Sequence, residues 1–440
     1  MSKSFAVMIM LISPLLAAAD RPADWFASWP QWRGPLATGV ATEAEPPLHW
    51  SETENVRWKI ALPGEGSGTP AVWGDRVIVT AAVETDQLAD QPATPDETAK
   101  TTPPKNLYQF VVFCLDRSTG DLVWQRTAIE DVPREGRHST NTYASASPIT
   151  DGKHIWVSFG TKGLYCFNFQ GQLQWSRDLG EMRTRSGWGE GATPAVHDDV
   201  LIVPWDQEQD SFVVALNATT GNELWRQARD EVTSWATPLI VEQSGRTQAI
   251  LNGTNRARGY DLRTGAILWE CGGQTVNAIP SPVADTDTAY IMSGYKGSKV
   301  VAVPLDASGD LTDSDRIHWS RDRGTPYVPS PVLVNDRLYF TSVNTSALTC
   351  VNADTGEVVF GPQRLPDIDN LYASPVSASD RIYFTSREGT TTVIAASDQF
   401  EVLATNRLDE DFDASPAIAG RQLFLRGKAH LYCLEQPTQK

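Results

Sequence analysis

Tyr143, Arg183, Arg185, Trp188, Trp235, Arg321, Tyr327 and Tyr372 are the side chains of this chain best suited to recognition chemistry. Arginine offers a rigid fork of donors, and aromatic rings offer flat apolar faces that stack on rings or cations. The two types together dominate the energetic centres of binding surfaces. Groups for bond-making chemistry are harder to find. Six histidines, His49, His138, His154, His197, His318 and His430, lack the spacing of metal ligands. No Gly-x-Ser-x-Gly nucleophile elbow is present. Gly187-Trp188-Gly189-Glu190-Gly191 brushes against a nucleotide-binding pattern, but no strand-to-helix unit surrounds it, so a loop is expected. Asp409-Glu410-Asp411 with Asp413, and Asp310, Asp313 and Asp315, could offer calcium several oxygens. Neither set has an EF-hand spacing, and solvated loop charge is expected there. No catalytic residue and no metal ligand is assigned.

The elements that must position these residues repeat. Thr-Gly-x-x-x-Trp occurs at Thr119-Gly120…Trp124, Thr220-Gly221…Trp225 and Thr264-Gly265…Trp269, with weaker copies at Gly171…Trp175 and Gly356…Phe360. Ser/Thr-Pro before a short apolar run occurs at Thr69-Pro70, Ser147-Pro148, Thr193-Pro194, Thr237-Pro238, Ser281-Pro282, Ser330-Pro331, Ser374-Pro375 and Ser415-Pro416. A period of about 40–50 residues filled with short strands points to a β-propeller. The expected fold is all-β, with eight four-stranded antiparallel blades over residues 50–435. The eighth unit stops at Leu434-Glu435 without a Trp strand, whereas Val56-Arg57-Trp58 is a Trp strand with no unit before it. That N-terminal strand is expected to complete the last blade and remove the open sheet edges. Connections from each outer strand to the next Ser/Thr-Pro gather on one face of such a ring. The eight recognition residues are therefore expected to form a binding face at the channel mouth.

Hydrophobic residues make up 41% of the 440 positions, enough for a packed core. The net charge of −17 argues against nucleic acid as a partner, because phosphate binding needs a dense basic surface. Residues 1–19 read as a signal peptide, with Lys3, an apolar stretch from Phe5 to Leu16, and Ala17-Ala18-Ala19 for cleavage. That stretch is shorter than the roughly 20 residues that span a bilayer. No cysteine follows the cleavage point for lipid attachment. A periplasmic or secreted monomer is expected, with residues 20–49 as a lead-in segment. Val83 to Leu107, rich in Pro, Thr and Asp, reads as a disordered insertion in the first blade. Cys114, Cys166, Cys350 and Cys433 share one repeat slot that elsewhere holds Ala215 or Gly259, so free buried thiols are expected there.

The Ser-Pro strand, the Asp-x-x-Thr-Gly turn and the terminal Trp resemble the pyrroloquinoline-quinone (PQQ) repeat family. Trp29-Pro30-Gln31-Trp32-Arg33-Gly34-Pro35 with Gly39-Val40 looks like the opening of BamB-like exported propellers in planctomycete-type bacteria. The resemblance implies an eight-bladed propeller and two functional branches. One is quinoprotein dehydrogenases of alcohols or sugars, which hold PQQ and calcium in the funnel. The other is non-catalytic scaffolds that bind proteins. The adjacent cysteines usual in quinoprotein alcohol dehydrogenases are missing, as are a Cys-x-x-Cys-His haem site and the lipid-attachment cysteine of BamB. The reading taken is a non-catalytic scaffold for a protein, small-molecule or carbohydrate ligand, without a cofactor. A PQQ- and calcium-dependent dehydrogenase and a carbohydrate-binding propeller are the alternatives.

Overall fold

The computed structural model of the chain describes residues 24–94 and 97–437. The expected signal peptide, residues 1–19, lies outside them. Eight sheets follow one another around a ring, each built on four antiparallel strands, in sequence order except in the last blade. Blade one is Ala71–Trp73, Arg76–Leu88, Asn106–Asp116 and Leu122–Asp131. Blade eight joins Ala417–Ala419, Gln422–Arg426 and His430–Glu435 to Val56–Ala61, with Trp58 opposite Cys433. The expected closure by the N-terminal strand is therefore present. Among the described residues the helical elements are two three-residue turns, Gly160–Lys162 and Arg185–Gly187.

The Ser/Thr-Pro phrase forms the inner girdle of this ring. Thr69 N–H donates to Ser147 Oγ at 2.9 Å, and Ser147 N–H to Thr193 Oγ1 at 2.9 Å. Thr193 N–H reaches Thr237 Oγ1 at 3.2 Å, and Thr237 N–H reaches Ser281 Oγ at 2.8 Å. Ser281 passes the pattern to Ser330 at 2.9 Å, Ser330 to Ser374 at 2.8 Å, and Ser374 to Ser415 at 2.9 Å. The seam is closed by Thr69 Oγ1, which donates to the Ser415 carbonyl at 2.9 Å. Proline holds the preceding residue extended and has no N–H of its own. The Ser/Thr backbone N–H is thus turned around the ring, and the next blade's hydroxyl satisfies it.

The Thr-Gly-x-x-x-Trp phrase forms an outer girdle, and its Trp and Gly act across blades. Each indole lies on the glycine of the following blade and donates its N–H to a carbonyl beside it. Trp58 donates to Arg117 O at 3.0 Å, Trp124 to Phe169 O at 2.8 Å, Trp225 to Leu262 O at 3.0 Å, and Trp319 to Ala353 O at 2.6 Å. A Cβ at Gly120 would sit 2.9 Å from the Trp58 ring, and one at Gly221 would sit 2.7 Å from Trp175. Both glycines also have positive φ, so two constraints select glycine at once. Trp269 breaks the pattern because blade five lacks the turn that would receive it. There Gly309–Asp310 pairs in parallel with Ile267–Gly272 as a fifth strand of blade four, and Trp269 donates to Gln248 Oε1 at 2.7 Å.

All five cysteines are buried and unbridged. Burial pushes the thiols of Cys114, Cys166 and Cys350 up to about 12, and that of Cys271 up to about 11. Part of the segment expected as a disordered insertion is strand: Arg76–Leu88 runs into residues 83–107, and Asn106–Asp116 begins inside them. Beyond the hairpin, Lys100 N–H donates to Ser186 O at 2.8 Å, and Thr101 Oγ1 donates to Gly187 O. The insertion therefore crosses to the turn that carries Trp188.

Ser281→Ala would strand the Thr237 N–H, a donor at the partly buried inner girdle. The expected cost is about 1–3 kcal/mol in urea unfolding, with Ser281→Thr close to the parent. Equal stability of the Ala variant would remove the girdle's energetic role.

Candidate functional site

One end of the channel is filled by the lead-in segment. Trp29 forms a two-way bridge with Val72, and Thr150 N–H donates to Pro30 O at 2.8 Å. Farther along, Val40 pairs with Ser377 of blade seven. Between these anchors Arg33 is buried, 2% exposed. Its guanidinium donates to the carbonyls of Pro375 at 2.5 Å, of Thr38 at 2.9 Å, and of Pro331. Burial lowers its pKa to about 9, so it keeps its charge at neutral pH. Gly39, with φ +88, must be glycine, since a Cβ would fall 2.5 Å from Arg33 Nη2.

Above this plug lies a cavity of about 360 Å³. Trp32 from the lead-in segment reaches its floor, and hydroxyls of the inner girdle, among them Ser147, Thr193, Thr237 and Ser374, circle it. Trp188, Trp235, Tyr295, Tyr327 and Tyr372 form its walls. Trp188 and Trp235 lie 6.4 Å apart at 30°. His138 meets the Trp188 ring edge-on at 5.9 Å. Tyr295 and Tyr327 stack at 4.6 Å. Tyr372 carries the Arg387 guanidinium 4.4 Å from its centroid, and Arg387 in turn pairs with Asp413 at 2.5 Å. The Trp235 indole is fixed by donation to Gly189 O at 2.8 Å. Asn141 Nδ2 ties down the opposing loop through Trp188 O at 3.0 Å and Glu190 O at 3.1 Å.

The structure thus gathers Trp188, Trp235, Tyr327 and Tyr372 around one cavity. Arg185 is half-buried nearby, its backbone N–H on Thr233 Oγ1 at 2.9 Å. Its charge acts on the Tyr327 hydroxyl against the burial that raises that group's pKa. Tyr143 stands apart in a neighbouring pocket, packed on Tyr108 at 5.2 Å and under Arg137 at 5.3 Å. Arg183 is exposed, with its backbone engaged by Gln207 and Glu208. Arg321 belongs to the outer strand Trp319–Arg321 of blade five and donates to Arg323 O at 3.2 Å. Trp32, His138, Asn141, Tyr295 and Asp413 complete the cavity without having been singled out for it. Trp32 carried one usable signal, a second indole in the Trp-Pro-Gln-Trp run that no blade uses.

Glu190 lines the neighbouring pocket that holds Tyr143. Its carboxylate accepts from Thr161 N–H at 2.7 Å and from Thr161 Oγ1 at 2.5 Å, which fixes the Gly160–Lys162 turn. Burial pushes its carboxyl from 4.5 up to about 7; Thr161 opposes the shift, Glu135 adds to it, and Lys162 opposes it. Among the described residues no group of three or more His, Cys, Asp or Glu could hold a metal. The acidic clusters are spent on partners: Glu410 on His430 at 2.8 Å, Asp411 on Lys428 at 2.8 Å, and Asp310 on Arg256 at 3.0 Å. No helix among the described residues is long and apolar enough to cross a membrane.

A carboxyl whose folded pKa is raised stabilises the fold at low pH and loses that contribution as pH rises through the folded value. The stability of the parent relative to Glu190→Gln should therefore fall from pH 5 to pH 8. Denaturant unfolding across that range checks it, and a pH-independent difference would refute it.

The family described as outer membrane protein assembly factor BamB matches residues 109–362. No curated protein matches the chain by sequence. Among solved structures, BamB from Moraxella catarrhalis superposes with a TM-score of 0.54 at 14% identity, covering 80% of this chain and 100% of that one. A europium-containing methanol dehydrogenase superposes with a TM-score of 0.63 at 10% identity, covering 93% and 98%. The computationally designed Ika8 protein gives 0.51 at 11% identity, covering 78% and 100%. At these identities the structures speak for the fold alone. With the family match running from blade one into blade six, the chain belongs to the BamB family of PQQ-type propellers.

Proposed function

We propose that this chain is an exported, non-catalytic propeller that binds a partner protein or a ligand through the aromatic cavity at its channel mouth. The cavity itself carries the reading. It is concave, walled by five aromatic side chains, and closed below by a segment spent on filling the channel. Pockets of this size with apolar walls and a few convergent polar groups are where ligands and anchor side chains seat. Flat indole and phenol faces suit a sugar ring or an aromatic anchor equally. The description of the matched family as an assembly factor supports a protein partner. Export to the periplasm or medium rests on the signal-like residues 1–19.

The cavity lining is poor in the ligands that a calcium-held quinone needs. Among the described lining residues the one carboxylate is Asp413, and its two oxygens accept from Arg387 at 2.5 and 3.2 Å. Calcium takes about 6–8 oxygen ligands, carboxylates foremost. This donor set does not fit such a pair.

Trp188→Ala combined with Tyr327→Ala should weaken capture of the partner by about 2 kcal/mol or more, roughly thirtyfold. Titration of indole fluorescence with oligosaccharides and aromatic-ended peptides, and cross-linking in a periplasmic extract, provide the measurements. Undiminished capture by the double variant would defeat the reading. So would a quinone absorbance that stays with the protein after incubation with PQQ and calcium and reduces a dye on adding alcohols.

A further inference from the structure

Arg426 is the exception to how this protein treats buried guanidinium groups. It ends the second strand of blade eight, is 1% exposed, and has no acceptor for Nε, Nη1 or Nη2. The other buried arginines hold acceptors, although the Arg33 Nε is also left without one. Arg229 pairs twice with Asp206 at 2.6 and 3.0 Å. Arg258 meets Glu231 and Glu270, each at 3.0 Å. Arg33 holds three carbonyls. A buried charge without hydrogen bonds costs several kcal/mol, so a structure that keeps one normally supplies an acceptor.

None of the acids around Arg426 hydrogen-bonds it. Glu410 is close enough to act on its charge, but bonds His430 through Nδ1 at 2.8 Å and the backbone N–H at 3.1 Å. Asp411 is taken by Lys428, Asp413 by Arg387, and Glu65 by Arg137. Burial lowers the Arg426 pKa only to about 10, so the group stays cationic at neutral pH. Arg426 lines a side pocket of about 50 Å³ with Ser139, Thr142 and Lys428. That pocket shares Ser67, Thr140, Asn141 and Asp413 with the aromatic cavity.

We infer that Arg426 is the seat for a carboxylate belonging to the molecule that occupies the aromatic cavity, which makes that molecule an aromatic or ring-bearing acid. The inference rests on the cavity being a binding site. A planar carboxylate matches the two-pronged guanidinium donor. Asp411, Asp413 and Glu65 each pair with another cation, and a phosphate dianion would bring a second negative charge to these acids. The acid can be a small molecule or the C-terminus of a peptide; the chemistry recognised is the same.

Two measurements on the parent protein need no variant. At fixed ionic strength, replacing chloride by acetate should raise the melting temperature, and inorganic phosphate should raise it less. Quenching of indole emission should show 3-phenylpropionate binding about tenfold more tightly than 3-phenylpropanamide, the worth of a charge-assisted hydrogen-bonded pair. Arg426→Met should abolish both preferences while leaving the amide's affinity unchanged, and Arg426→Lys should keep part of them. A peptide ending in a free Phe carboxylate, compared with its amidated form, separates the two sources. Equal binding of acid and amide overturns the Arg426 assignment and leaves the cavity reading intact. No binding of either overturns both.

Discussion

Eight inner strands can form a ring only if each one registers on the next, and the contact that does this is a single hydrogen bond. From Thr69 to Ser374 the N–H before the proline meets the hydroxyl of the following blade, and at the seam Thr69 Oγ1 donates to Ser415 O instead. Ser and Thr are small, so the girdle leaves a channel its own side chains cannot fill. Water or protein must occupy the remainder. Here the lower part is taken by residues 29–41, with the Arg33 guanidinium spanning carbonyls of two blades. The cavity above is what remains when a ring of this width is plugged from one end. Its dimensions follow from the girdle, and its character follows from the connections that rise above it.

The outer girdle shows why the fold was legible and why its reasons were not. Thr-Gly-x-x-x-Trp repeats at fixed spacing because the last strand of each blade has a nearly constant length. The spacing therefore announces a strand after a tight turn. The contact it serves lies one blade away, where the indole of Trp124 covers Gly171 and that of Trp225 covers Gly265. Each of these indoles also donates to a neighbouring carbonyl. The same logic explains blade five. Lengthening its turn at Gly309 to Trp319 removes the receiving glycine, and Trp269 turns back to Gln248.

The candidate site was legible only in part. Trp188, Trp235, Tyr327 and Tyr372 could be found because they sit in connections and fill no repeat slot. Arg183 and Arg321 met the same test and lie elsewhere. Periodicity fixes where a connection begins and ends, but not which way its side chains turn. That depends on contacts such as Asn141 with Trp188 O and Trp235 with Gly189 O, which join segments 46 or 47 residues apart. Trp32 and Tyr295 escaped notice for a related reason. One comes from outside the ring, and the other from the turn between second and third strands of blade five, which the sequence pattern treats as variable.

Charge buried near the mouth serves the same placement. Asp206 and Arg229 form an ion pair with side chains 2% and 0% exposed, extended by Arg229 to the Tyr260 hydroxyl at 2.8 Å. Such a pair adds little net stability over apolar packing, because desolvation offsets most of its attraction. Its geometry is nevertheless demanding, and Asp206 uses the second oxygen to accept from Ser234 Oγ at 2.5 Å. Ser234 immediately precedes Trp235. Glu231, a few residues earlier, is held by the N–H groups of Asn255 and Arg256 at 2.8 and 2.9 Å and by Arg258 at 3.0 Å. The connection between blades three and four is thus pinned on both sides of its turn before the indole emerges. A loop free to move would lose conformational entropy on binding, whereas one fixed by buried polar contacts meets that cost during folding. The density of buried ionic contacts under Trp235 is what a preorganised recognition wall requires, and it is hard to account for as a source of stability alone.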